Sequence, residues 1–188
     1  MRIVLALAGV ALLGAALSAQ QQAFDHKVLA TNKTSTMEKE LNEAAAAGYR
    51  FQHVMGGESA IGGSEVVVIM SRAQPSRGRY SYRLLATSKT STMQKELQAA
   101  ADSGFAYRGQ TVFGSAFGGD EVVVILERDR DAAETKFDYR LVATTKTSTL
   151  EKELLEAGAA GYEVVGMTVG NTAVGGSELV AITRRARP

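Results

Sequence analysis

The chain has 188 residues, 45% of them hydrophobic and 22% charged, with a formal net charge of +1. That composition supports a folded core and carries too little charge to recruit nucleic acid or an anionic membrane surface. With no cysteine, no tryptophan and only two histidines, His26 and His53, the chain excludes disulfides, thiolate metal sites and histidine-rich metal centres, so no cofactor and no metal are expected.

The N-terminus reads as a targeting segment. Arg2 precedes an apolar run over residues 3–13, and small residues over 15–19 precede Gln20, Gln21 and Gln22. This is the pattern of a cleaved signal peptide, 1–19, and the run falls short of the roughly 20 residues that a membrane span needs. The expectation is an exported protein, periplasmic or secreted, with no stable membrane anchor after cleavage.

The rest of the chain is one unit written three times, over residues 24–72, 80–128 and 137–185. Thr34-Ser35-Thr36-Met37-Glu38-Lys39-Glu40-Leu41 returns as residues 90–97 and again as 147–154, and such self-similarity is read before any local pattern. Each unit opens on a β-branched and aromatic strand, with His26 in the place of Tyr82 and Tyr139. A helix comes next. Ser35, Ser91 and Ser148 stand three residues before Glu38, Gln94 and Glu151, the spacing of a capping box. Met37, Leu41 and Ala44 fall on one helical face, and Lys39 and Glu43 are an i,i+4 pair on the wet side. Gly48, Gly104 and Gly161, each followed by an aromatic residue, suit the left-handed position that ends a helix. A second strand is expected over 51–55, 107–113 and 164–169, then a glycine-rich turn, then the apolar third strand that begins at Glu65, Glu121 and Glu178. Residues 73–79 and 129–136 read as solvated connectors.

A right-handed crossover makes strands one and two parallel. The third strand is apolar at nearly every position, so it belongs in the centre, buried on both faces. The expected fold class is therefore α+β: three β-α-β-β repeats, each a three-stranded sheet of order 1-3-2 with one helix on one face. About 50 residues cannot hide the other sheet face alone. The repeats are expected to cover one another in a pseudo-threefold arrangement, with a linear array as the alternative.

Residues 150–165, Leu-Glu-Lys-Glu-Leu-Leu-Glu-Ala-Gly-Ala-Ala-Gly-Tyr-Glu-Val-Val, resemble the core of the domain-of-unknown-function family 4177. That family pairs a short Tyr-x-Val-Val strand with Leu-x-x-x-Leu-Asn-x-x-Gly-x-x-Gly-Trp/Tyr-Glu-Leu-Val and a closing strand that ends in Lys or Arg. Repeat 3 is the nearest match, through Tyr139 and Arg184; repeat 1 keeps Asn42 and Gly48 but has Ala45, and repeat 2 has Ala101 and Phe105. The resemblance implies the fold and carries no activity.

Two sets of residues are candidate sites. Lys33, Thr34 and Ser35, with Lys89, Thr90 and Ser91 and with Lys146, Thr147 and Ser148, place a lysine beside three helix N-termini, where anions are favoured; plain capping is the competing explanation. The loop tips Ile61, Phe117 and Val174 are apolar contact points for a partner or a sister repeat. Gly62-Gly63 and its copies lack the Lys-Ser/Thr ending of a phosphate loop. The repeated glutamates supply like groups, whereas catalytic sites need convergent unlike ones. His26 is expected to be half buried, His53 aligns with Gly109 or Thr111, and strand glutamates are candidates to pair with Arg72, Arg128 or Arg185. No catalytic residue is assigned. The expected function is an exported, non-catalytic structural or protein-interaction module, its partner unidentified or a copy of itself. The alternative is a small-ligand or anion-binding periplasmic protein.

Overall fold

A computed structural model describes residues 23–58, 64–73, 76–114, 120–133, 135–171 and 177–187. The segment 1–19 and the tips Ile61, Phe117 and Val174 lie outside the described residues. Repeat 1 comprises β1 (Phe24–Thr31), α1 (Thr34–Ala46), β2 (Arg50–Glu58) and β3 (Ser64–Ala73). Repeat 2 comprises β4 (Tyr80–Thr87), α2 (Thr90–Asp102), β5 (Ala106–Gly114) and β6 (Asp120–Asp129). Repeat 3 comprises β7 (Phe137–Thr144), α3 (Thr147–Ala159), β8 (Glu163–Asn171) and β9 (Ser177–Ala186). The sheets run β1-β3-β2, β4-β6-β5 and β7-β9-β8, with the central strand antiparallel to both neighbours, so the outer two are parallel as expected. The second strands run longer than expected, and each carries a register shift, at Phe51/His53, Tyr107/Gly109 and Val164/Gly166.

The helices start earlier than the capping-box spacing predicts. Lys33, Lys89 and Lys146 are the N-caps, in extended backbone and with no side-chain cap, and Ser35 lies inside the first turn. Each lysine N–H donates to the hydroxyl of Thr31, Thr87 or Thr144 two residues back, at 3.2, 3.1 and 3.3 Å, a local side-chain turn that competes with the box. The helix ends match expectation. Gly48, Gly104 and Gly161 have φ of 88°, 80° and 82°, and the next N–H reaches back to Ala44, Ala100 or Ala157 O at 3.0–3.1 Å, closing a Schellman turn.

Each of the first two helices is shared. Met37 and Leu41 of α1 pack in one cluster with Leu29, Val66, Val68 and Met70 of the first sheet and with Tyr82, Val123 and Ile125 of the second. Met93 and Leu97 of α2 pack likewise with Leu85, Val124 and Leu126 of the second sheet and with Tyr139 and Ile182 of the third. The two faces of β6 thus serve two helices, which is why Val123, Val124, Ile125 and Leu126 are all fully buried. Helices α1 and α2 each pack on their own sheet and against the first strand of the next, while the second strands of consecutive sheets, β2 with β5 and β5 with β8, meet directly. Among the described residues every extensive contact between repeats joins consecutive ones, chiefly α1 to β4, α2 to β7, β2 to β5 and β5 to β8. The arrangement is therefore the linear array and not the pseudo-threefold one. A helix seated against the next sheet hides that sheet's open face without returning repeat 3 to repeat 1.

Candidate functional site

The chemistry of the molecule is concentrated where one repeat meets the next. Strand β4 is a sheet edge, and its outward backbone groups are read by α1. Asn42 accepts from Tyr82 N–H and donates to Tyr82 O, both at 2.9 Å, and Glu38 accepts from Leu84 N–H at 2.8 Å. The second junction repeats this with amides. Gln98 accepts from Tyr139 N–H at 3.0 Å, and Gln94 accepts from Leu141 N–H at 2.7 Å and donates to Tyr139 O at 2.8 Å. Side chains four residues apart on a helix lie on one face, and here they satisfy a strand edge that would otherwise pair with another chain. Glu38 and Gln94 serve this edge in place of the capping box.

The first-strand tyrosines reach the other way. Phe51 N–H donates to the Tyr82 hydroxyl and Tyr107 N–H to the Tyr139 hydroxyl, each at 2.8 Å, beside the register shifts that release those donors from the ladder. Burial raises the phenol pKa of both tyrosines, and the carboxylate of Glu127 raises that of Tyr82 further. Burial also pushes Tyr107 up to about 12.

Glu127 is a feature that sequence reasoning missed. It is buried on β6, where it accepts from the Tyr82 hydroxyl at 2.8 Å, from Arg50 of repeat 1 at 2.9 Å and from Arg108 at 2.5 Å. The side-chain hydrogen bond to Glu127 raises the Arg50 pKa despite partial burial. Its signal was present: Glu127 continues the Val123, Ile125 alternation and so points toward repeat 1. A buried carboxylate held by two guanidiniums and a phenol has its charge fully compensated.

Beside it lies a groove of about 440 Å³ lined by Arg50, Arg72, Arg77 and Arg79 with Phe24, Tyr80 and Asp131. Its cations are engaged already: Arg72 with Asp25, Arg77 with Asp131, Arg79 with Asp129 and Arg50 with Glu127. Arg72 and Arg185 pair with Asp25 and Asp138 and cap the helix carbonyls of Ala47 and Ala160; they do not pair with the strand glutamates.

The repeated Lys-Thr-Ser-Thr strings stand at the three helix N-termini. Thr34 and Ser35 line an open groove of about 540 Å³ together with Glu38 and Arg83. Lys89 and Thr90 line a small one of about 30 Å³ beside Glu178. Lys146, the N-cap, and Thr147 and Ser148, in the first turn of α3, are exposed. His26 is exposed, not half buried, and His53, also exposed, takes the register position of Gly109, each facing the equivalent isoleucine, Ile69 or Ile125. Among the described residues no group of three metal-ligating side chains occurs, and no helix is long and apolar enough to cross a membrane.

The large apolar side chains exposed among the described residues fall in two sets. Phe24, Val28, Met55 and Ile69 belong to repeat 1, and Leu155, Val164, Met167 and Val169 to repeat 3. None belongs to repeat 2. No family model, curated protein or solved structure matches the chain.

Proposed function

We propose that this protein is an exported, non-catalytic interaction module that works through the two outer faces of its layered array. The observation that carries this is the placement of the large apolar side chains exposed among the described residues, on the first and last repeats. A solenoid that merely ends is closed by repeats with polar outer faces, whereas these two ends present Val28 at 63% exposure and Leu155 at 69%. Apolar patches left open on a folded protein mark contact surfaces. The buried polar cluster is consumed in holding repeats together, and the signal-like N-terminus supports export.

A photoreactive side chain at position 28 or 155, introduced in the exporting host, should form a discrete cross-linked species. The same group at Lys39, on the wet side of α1, should form none. Absence of cross-links from both end positions in cells that accumulate the folded protein would sink the reading.

A further inference from the structure

We infer that the two outer faces are the two halves of one interface, through which copies of this chain join head to tail. The outer face of the first sheet would receive α3 and β8 of another copy. The inference deepens the proposed interaction role and rests on it.

The first ground is continuity with an interface that the molecule already builds twice. Phe24, Val28 and Ile69 occupy the positions of Tyr80, Leu84 and Ile125, which belong to or pack against the cluster that holds Met37 and Leu41 of α1. Met55 occupies that of Thr111, whose hydroxyl accepts from Gly56 N–H of repeat 1 at 2.6 Å. On the last repeat, Leu155 stands where Asn42 and Gln98 bind the next strand. Val164 stands where Phe51 is buried, Met167 where Val54 packs in the first core, and Val169 where Gly56 meets Thr111. Each of these exposed apolar positions is therefore covered at an internal junction. A second copy seated in the same way covers each set with the other.

The second ground is that the residues departing from the repeat pattern at the two ends match each other. At the internal junctions an aromatic side chain overhangs a glycine. A Cβ on Gly109 would lie 3.0 Å from the Phe51 ring, and one on Gly166 would lie 2.1 Å from the Tyr107 hydroxyl. At the head of the chain that glycine is His53; at the tail the aromatic is Val164. The larger residue on one face meets the smaller on the other. The amide that reads the strand edge becomes Leu155, and it meets Phe24, the position whose carbonyl Gln98 binds in repeat 3 at 3.3 Å. Glu151 retains the acceptor that Glu38 presents to Leu84 N–H, and its counterpart at the head is the N–H of Val28.

An interface between unlike faces is heterologous, so it yields open chains or closed rings and not a two-fold dimer. Sedimentation velocity on protein purified from an exporting host, over a wide concentration range, reads this directly. The wild type should grow beyond the monomer as concentration rises. Val28→Glu and Leu155→Glu should each weaken association at least about tenfold, and circular dichroism should report unchanged folds, because both sites are exposed. The two variants mixed in equal amounts should form a dimer and stop there, since one keeps a working head and the other a working tail. A wild type that stays monomeric throughout overturns the inference, as does dissolution by Val28→Glu with no effect of Leu155→Glu, the mark of face-to-face pairing. If monomers nevertheless give cross-links from positions 28 and 155 in cells, the ends serve a different protein and only the self-association is lost. If those cross-links are absent as well, the interaction reading fails with it.

Discussion

Gln110 shows how a single side chain is constrained by its junction. Its Oε1 accepts from the Tyr107 hydroxyl at 3.3 Å, while its Nε2 is buried without a partner. Repeat 1 solves the same position with Phe51 and Val54. Removing one member of a buried polar pair leaves the other unsatisfied, at a cost of about 1–3 kcal/mol, whereas replacing both by apolar groups is close to neutral or better. Tyr107→Phe alone should therefore lower the urea midpoint, and Tyr107→Phe with Gln110→Val should restore it to the wild-type value or above. The tyrosines also set an alkaline limit. Burial pushes Tyr107 up to about 12 and raises Tyr82 and Tyr139 as well, while the same phenols in an unfolded chain titrate near ~10. Above that pH the unfolded state sheds protons first. The stabilisation is whole below pH ~10 and is lost as pH rises through the folded values. Denaturant midpoints should fall above pH ~10, and the phenolate absorbance of these three residues should appear at higher pH in the folded protein than in the unfolded chain. At this scale the sequence was half legible. The helix-ending glycines were readable because a positive φ has few solutions. For Glu127 the strand alternation signalled an inward position, but its partners did not show, because Arg50 and Arg108 come from two different repeats.

The helices divide by how many sheets they touch. Leu41 and Leu97 have no exposed surface, whereas the equivalent Leu154 is only half buried. The first two lie between two sheets and the third rests on one. Truncating a leucine in a closed core costs about 2–5 kcal/mol, and less where the site is open to solvent. Leu97→Ala should lower stability by about 3–5 kcal/mol and Leu154→Ala by about 1–2 kcal/mol, measured by urea unfolding. Equal losses would contradict the shared-helix packing. The apolar stripe of each helix was legible from periodicity, and the 1-3-2 strand order from the handedness of the crossover and the unbroken apolar third strands. The helix starts were not. The capping-box spacing is real in the sequence, but Glu38 and Gln94 are taken by strands β4 and β7, some 46 residues on. A local pattern cannot announce a distant competitor.

For the whole molecule, the need to cover a second sheet face was plain from the apolar runs of the third strands. The manner of covering was open, because a ring and a linear stack bury the same residues in the middle repeat. They differ only at the ends, and there Leu155, Val164 and His53 depart from the pattern of their counterparts. Each repeat completes the core of the one before it, and among the described residues α3 packs extensively only on the sheet of its own repeat. Residue-resolved amide hydrogen exchange on the monomer tests this most directly. Linear stacking predicts strong protection for β6, α1 and α2, opened only by global unfolding, with α3 exchanging faster through local opening. Equal protection of all three helices, as a closed ring would give, would contradict it.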